Sequence, residues 1–100
     1  MDLIINHKKN TLVLAPDGIL DADGGAKLIE AVRNRRPDEV DIVVDGLLWI
    51  GIVEEGLMAL LQARQEAWGL GRFILRRVDE EILAILELTE TIYNFEVELK

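Results

Sequence analysis

The sequence predicts an α/β domain with an N-terminal hairpin and helices packed on one small mixed β-sheet. Two β-favouring runs, 3–5 and 11–15, are joined by a short polar segment, as in a hairpin. Apolar runs of strand length then alternate with segments of helical periodicity, which predicts parallel strands joined by right-handed βαβ crossovers. With 100 residues, of which 50% are hydrophobic, the chain is expected to form one domain over 1–100.

The first half of the chain is expected to contain the hairpin, one helix and the turns between them. Asn10 suits the position of positive φ in the hairpin turn, and the Pro-Asp-Gly segment 16–18 is predicted to interrupt the second strand. The segment 21–25 supplies N-cap candidates for a helix from about Gly24 to Arg35, which Pro37 ends. The buried stripe of this helix is predicted to comprise Leu28, Ile29, Ala31 and Val32.

The second half is expected to alternate between strands and helices. Val40 to Val44 has the β-branched composition of a central strand, and a second helix is predicted from about Glu54 to Trp68. Phe73 to Leu75 is a third parallel strand, Asp79 caps a third helix, and 93–99 returns as a short strand or an extended tail. The stripe of the second helix is predicted to comprise Leu57, Leu60, Leu61 and Trp68, with Gly69 as its terminator.

Composition excludes several classes of function. A net charge of −8 argues against nucleic-acid and anionic-membrane surfaces, because both need a basic protein face. The chain has no Cys, no Ser and a single His, so disulfides, thiolate metal sites, serine–histidine catalysis and multi-histidine metal sites are excluded. The longest apolar stretch, 46–53, is far shorter than the ~18 residues of a membrane helix. We therefore expect a cytoplasmic protein without membrane insertion, cofactor or metal.

Three blocks of sequence carry a resemblance to a known family. They are Gly-Ile-Leu-Asp at 18–21, Val-Val-Asp at 43–45 followed by Gly56 and Leu57, and the segment 85–89 with Phe-Glu-Val at 95–97. In order and spacing they resemble the STAS domain family of bacterial anti-sigma factor antagonists, from Thr11 to Glu98. The resemblance implies a non-enzymatic, protein-binding role in bacterial signal transduction and transcription regulation. The implied partners are an anti-sigma factor, a kinase or another STAS protein, and homo-oligomers remain open.

The phosphorylation motif of that family is altered in this chain. Where the family has Asp-Ser-Ser-Gly-Leu, this sequence has Val53, Glu54, Glu55, Gly56 and Leu57. A kinase therefore finds no hydroxyl at this position. The glutamates either mimic phosphoserine in part, with −1 against roughly −1.5 to −2, or only support the N-terminus of the helix.

Two loops are predicted to form one partner-binding surface. Because parallel strands end at the same edge of a sheet, the segments 17–23 and 46–55 should meet there. An apolar centre with a charged rim is typical of protein interfaces. Trp49 is either an exposed anchor of this surface or a core residue. The predicted partner-binding residues are Asp17, Asp21, Asp23, Leu48, Trp49, Ile50, Glu54 and Glu55.

Other interpretations give the chain a different role. One is an accessory STAS subunit of a membrane transport complex. Another is a Mg²⁺-dependent phosphate-handling enzyme at Asp21 and Asp23, but helix capping explains these residues better. His7 is expected to be a solvated turn residue. Three arginines, Arg72, Arg76 and Arg77, are expected to form a solvated edge or local ion pairs, with an anion site as the alternative.

Overall fold

The structure is a computed structural model that describes residues 2–69 and 71–98. It confirms the predicted fold class, a mixed α/β arrangement with an N-terminal hairpin. The elements in chain order are β1 (Asp2–Lys8), β2 (Thr11–Leu20), α1 (Ala22–Arg33), β3 (Asp41–Asp45), β4 (Trp49–Ile52), α2 (Glu54–Glu66), β5 (Phe73–Arg76), α3 (Glu80–Leu88), a 3-10 turn (Thr91–Asn94) and β6 (Glu96–Glu98).

The sheet has the strand order β1-β2-β3-β5-β6, and β4 pairs with the end of β2. β1 runs antiparallel to β2, whereas the β2–β3, β2–β4, β3–β5 and β5–β6 pairs are parallel. Asn10 has a φ of 64° in the hairpin turn, as expected from its tolerance of the left-handed region. The carboxyl ends of β2, β3 and β5 therefore lie along one edge of the sheet, where the next segments of chain begin.

The two faces of the sheet are covered differently. Alternate strand residues such as Leu14, Val44 and Leu75 join the large hydrophobic core, to which all three helices contribute. The residues between them, Val13, Val43 and Ile74, form a small separate cluster on the opposite face. The helices thus pack on one face of the sheet, and their N-termini follow the carboxyl ends of the strands.

Two strand predictions differ from the structure. β2 continues through 16–18 instead of breaking there, because Pro16 lies opposite Leu3 and Gly18 adopts a φ of 99° beside a register shift. β4 occupies residues predicted to be a loop. Its register pairs Gly18 with Trp49 and Leu20 with Ile52, so the extended end of β2 provides its hydrogen-bonding partner.

The helix predictions hold except that α1 spans 22–33 instead of about 24–35 and that α2 ends at Glu66 instead of Trp68. Asp21 caps α1 and Asp79 caps α3, while Gly69 has the positive φ expected of a terminator. Trp68, predicted to be buried, is 71% exposed, because α2 ends at Glu66 and the helical periodicity stops before the tryptophan. Its ring instead lies under the guanidinium of Arg64, 4.7 Å from the ring centroid. The predicted tail is β6, and Leu99 lies outside the described residues.

Candidate protein-interaction site

The two segments expected to meet at the edge of the sheet are joined by hydrogen bonds. The N–H of Gly18 donates to the carbonyl of Leu48 at 2.9 Å, and the N–H of Val53 donates to the carbonyl of Leu20 at 3.1 Å. Between these two bonds, β4 pairs in parallel with the end of β2. The expected adjacency of 17–23 and 46–55 is therefore confirmed.

Large apolar side chains are exposed on both segments. Gly51 lies opposite Ile19 in the β2–β4 register, and a Cβ on this glycine would lie 3.6 Å from Cγ1 of Ile19. The exposed fractions of these side chains range from 41% to 70%. We call this surface the apolar patch; it consists of Ile19, Leu47, Leu48, Ile50 and Val53.

Trp49 does not belong to this surface. The side chain is 1% exposed and lies in the main core, so the prediction of an exposed anchor is wrong and the alternative, a core residue, is correct. The indole N–H donates to the carbonyl of Gly51 at 2.8 Å, which satisfies the polar atom of a buried tryptophan. Formation of β4 alternates the side chains, so that Trp49 is buried and Ile50 is exposed.

The acids at the start of α1 are engaged within the chain. The carboxylate of Asp21 accepts the N–H of Gly24 at 2.8 Å. Asp23 forms an ion pair with Lys27 at 3.2 Å, and the hydrogen bond from Lys27 lowers the pKa of the Asp23 carboxyl. Asp17 is exposed at the end of the hairpin pairing, opposite Asp2. The structure therefore gives Asp21 and Asp23 local structural roles.

The start of α2 is arranged differently. Val53, which precedes the helix, is extended and provides no side-chain hydrogen bond to the first turn. Glu54 and Glu55 are exposed, and within the described part of the chain their carboxylates form no hydrogen bond or ion pair. The N–H groups of the first turn and the positive end of the helix dipole thus lie beside two uncommitted carboxylates.

Gly56 sets the position of this helix end. A Cβ atom on this residue would lie 2.1 Å from the carbonyl oxygen of Leu20. Leu57, the last residue of the family motif, is partly buried against the main core. The glycine therefore allows the first turn of α2 to pack directly on the end of β2, which fixes Glu54 and Glu55 beside the apolar patch.

Asp45 anchors the loop that carries the apolar patch, a role that sequence reasoning missed. This buried carboxylate accepts the N–H of Leu47 at 3.1 Å, Nη2 of Arg76 at 3.2 Å and Nε of Arg77 at 3.0 Å. Burial alone would raise the pKa of Asp45, but these hydrogen bonds, led by Arg77, hold it below the usual value. The sequence signal that could have revealed this role of Asp45 is the presence of one acid and two arginines at the ends of adjacent parallel strands.

The remaining polar predictions have mixed outcomes. Ion pairing of the arginines is confirmed, since Arg72 pairs with Glu96 while Arg76 and Arg77 share Asp45. His7 is exposed, as predicted, but it does not lie in the turn. It lies in β1, and its Nδ1 is 2.8 Å from Oε2 of the buried Glu39. The turn comprises residues 9 and 10, so His7 lies within β1, where its imidazole contacts Glu39.

Metal-ligating and membrane-spanning features are not found in the residues that the structure describes. Across 2–69 and 71–98, no three His, Asp or Glu side chains come together in an arrangement for a metal ion. No helix within those two ranges is both long and apolar enough to cross a membrane.

Comparison with known proteins shows similarity at the level of structure. No protein-family model and no curated protein sequence matches the chain. Among solved structures, the chain is similar to that of the anti-sigma factor antagonist SpoIIAA in its unphosphorylated form, with a TM-score of 0.77. The match covers 99% of this chain and 89% of that chain at 13% sequence identity. The shared feature is therefore the fold.

Proposed function

We propose that this chain is a non-enzymatic STAS-type domain that binds and regulates a protein partner in a bacterial partner-switching system. The partner is an anti-sigma factor or a related kinase. The observation that carries the proposal is the apolar patch, which lies next to the start of α2 and its two uncommitted glutamates. Exposed apolar groups beside a charged rim are the usual composition of a protein-binding surface.

The proposed binding surface differs from the eight predicted residues, because Trp49 is buried and three further apolar residues are exposed beside it. Leu48, Ile50, Glu54 and Glu55 are its central members, and Ile19, Leu47 and Val53 extend it. Asp17, Asp21 and Asp23 contribute negative potential at its border. Because this rim is acidic, a partner with basic residues is favoured, and the association weakens as salt rises.

Glu54 and Glu55 give the protein a fixed charge state in place of a phosphorylation switch. Neither residue can accept phosphate from a kinase. A carboxylate beside the N-terminus of a helix resembles phosphoserine in sign and position, but with less charge. The proposed consequence is a domain whose affinity for its partner does not respond to phosphorylation at this helix.

Binding to the partner, identified by purification with the tagged chain as bait, tests the proposed surface. Ile50→Ala and Leu48→Ala should weaken binding by about tenfold or more in calorimetry, because a few residues at the centre of an interface contribute most of the binding free energy. Ile85→Ala, which truncates an exposed isoleucine on α3, is the matched control and should bind as the wild type does. Unchanged binding by both patch variants would contradict the proposal. Recovery of a transporter ATPase as the partner would favour the accessory-subunit role.

A second comparison tests the role of the glutamates. If they stand in for phosphate, Glu54→Ser or Glu55→Ser should raise affinity for a partner that rejects the phosphorylated form. If they are only first-turn acids, binding stays constant and the variants lose at most about 1 kcal/mol of stability. Mass spectrometry after incubation of the wild type with the partner kinase and ATP should find no phosphate between Gly46 and Leu61.

A further inference from the structure

Among the residues that the structure describes, no strand pairs with the outer edge of β1, which is seven residues long. Ile4 and Ile5 on this strand are 49% and 47% exposed. Free strand edges present N–H and C=O groups to which another strand can bind, and natural proteins usually protect them. At the other side of the sheet, β6 spans Glu96–Glu98 within the described residues and carries two glutamates, so that edge is charged. The centre of β1 instead carries two exposed isoleucines.

The hydrogen-bonding pattern of the sheet shows which groups of β1 are free. The N–H of Asp41 in β3 donates to the carbonyl of Asn10, the residue that precedes β2. Backbone groups of successive residues point to opposite sides of a strand, so the even-numbered residues at the start of β2 direct theirs toward β3. Odd-numbered residues of β2 therefore bond to β1, and their partners there are even-numbered. Pro16, which has no N–H, lies opposite Leu3, as this alternation requires. The groups that point outward are those of Leu3, Ile5 and His7.

These outward N–H and C=O groups are spaced so that they can form hydrogen bonds with the same groups of a second copy of β1. When two β1 strands run antiparallel with Ile5 opposite Ile5, Leu3 of each lies opposite His7 of the other. Each of these pairs then exchanges two hydrogen bonds. Asp2 of one copy lies opposite Lys8 of the other at both ends of the strand, so opposite charges meet. A shift of register by two residues in either direction removes hydrogen-bonded pairs and separates these charges.

We propose that β1 is a self-association edge, at which two copies of this chain pair antiparallel about Ile5 and extend the sheet across a two-fold axis. Such an isologous contact closes on itself. A groove of about 320 Å³ between β1 and α1, with Leu3, Ile5 and Ala31 in its lining, lies beside this axis in each copy. Ile5 of both copies then packs at the axis. The proposal is independent of the partner-binding surface, because it uses β1 and not the apolar patch.

Sedimentation of the full chain at concentrations from about 10 μM to 1 mM tests the proposal, since a contact of this size is expected to be weak and reversible. The wild type should show a monomer–dimer equilibrium. Asp2→Lys and Lys8→Asp should each weaken it by about tenfold, because both charge pairs become repulsive. An equimolar mixture of these two variants should dimerise again, as heterodimers with restored charge pairs. A wild type that stays monomeric, or a mixture that does not recover, would overturn the proposal.

A matched pair of substitutions identifies the surface. Ile5→Lys places two like charges at the two-fold axis and should abolish the dimer. Ile85→Lys makes the same change at an exposed isoleucine on α3 and should leave it intact. If both variants remain dimeric, the contact lies elsewhere and the proposal is wrong.

Amide hydrogen exchange gives a residue-specific measurement on the wild type. Protection should rise with protein concentration at Leu3, Ile5 and His7, whose N–H groups point outward. It should stay constant at Ile4 and Asn6, whose N–H groups already bond to β2. A dimer without this alternating pattern would contradict pairing through β1.

Discussion

α1 and α2 begin beside each other at one edge of the sheet, and each start carries two acids, but the two starts are built differently. At α1, Asp21 caps the helix and Asp23 pairs with Lys27. At α2, the preceding residue is Val53, which makes no capping bond, and the two glutamates that follow remain exposed to solvent. The acids of α1 therefore have partners within the chain, whereas those of α2 are exposed at the proposed binding surface.

The same comparison shows what the two starts share. Each has a glycine in its first turns at a position where a side chain would collide. A Cβ on Gly25 would lie 2.4 Å from the Cβ of Ala59 in α2, and a Cβ on Gly56 would lie 2.1 Å from the Leu20 carbonyl oxygen. Close packing therefore fixes the position of both helix starts. The two starts differ in whether their first-turn N–H groups and acidic side chains have side-chain partners within the chain.

The largest expected effect comes from filling the glycine positions. Gly56→Ala should destabilise the fold by about 3 kcal/mol or more, because the obstructing atom belongs to the backbone of β2. Gly25→Ala should cost about 1–3 kcal/mol, since its obstruction is a side chain and the helices can separate slightly. Denaturant unfolding measures both variants.

Ala59→Gly is the compensating change for α1. It removes the colliding methyl group, so it should recover part of the loss in Gly25→Ala and none of the loss in Gly56→Ala. A Gly56→Ala variant as stable as the wild type would show that the first turn of α2 does not need this close approach.

Removal of the Asp45 carboxylate should have the next largest effect. Asp45→Asn should cost about 2 kcal/mol at neutral pH, since it breaks charge-assisted hydrogen bonds to Arg76 and Arg77. Because folding lowers the pKa of Asp45, its contribution is fully present above the unfolded-state pKa of about 3.9. The contribution is lost as the pH falls through the lower pKa of the folded state.

The stability difference between wild type and Asp45→Asn should therefore shrink over the acidic range, as the pH falls from about 5 through the unfolded-state pKa and below it. Thermal unfolding across this range measures it. Asp38→Asn, at an exposed acid outside this network, provides the control and should change stability little. A difference that stays constant with pH would contradict the proposed origin of the pKa shift.

The capping difference itself predicts a smaller effect. Asp21→Ala should cost about 1 kcal/mol, because the N–H of Gly24 loses its acceptor. Glu54→Ala, the comparable loss of an acid at α2, should cost less than about 0.5 kcal/mol, since its carboxylate makes only a dipole interaction. Equal losses of unfolding free energy in the two variants, measured by chemical unfolding, would contradict the conclusion that Asp21 caps its helix whereas Glu54 does not.

The smallest effect is expected from giving α2 the cap that it lacks. Val53→Asp should stabilise the fold by about 0.5 kcal/mol, because the new carboxylate accepts a first-turn N–H while repulsion from Glu54 and Glu55 reduces the gain. Val53 is 41% exposed, so little core packing is lost. Thermal unfolding measures the change, and a clear loss of stability would show that Val53 packs more productively than its exposure indicates.

Local signals in the sequence were sufficient where the interactions themselves are local. The cap at Asp79, the terminator Gly69 and the turn residue Asn10 were predicted, and Asp21 was among the N-cap candidates, because each depends on a few neighbouring residues. The parallel strands and their shared edge also follow from the alternation of elements, since crossover connections have one hand. The meeting of 17–23 with 46–55 was therefore predictable.

Only the tertiary structure decided which tryptophan is buried and which acids remain free. Trp49 is buried because β4 pairs with the end of β2, a contact between distant segments that no local pattern signals. Trp68 is exposed because α2 ends two residues before it. Asp45 became an anchor when β5 brought two arginines beside it. Periodicity and composition determined the helices and most strands of this protein, whereas long-range pairing determined β4, the full length of β2 and which side chains reach solvent.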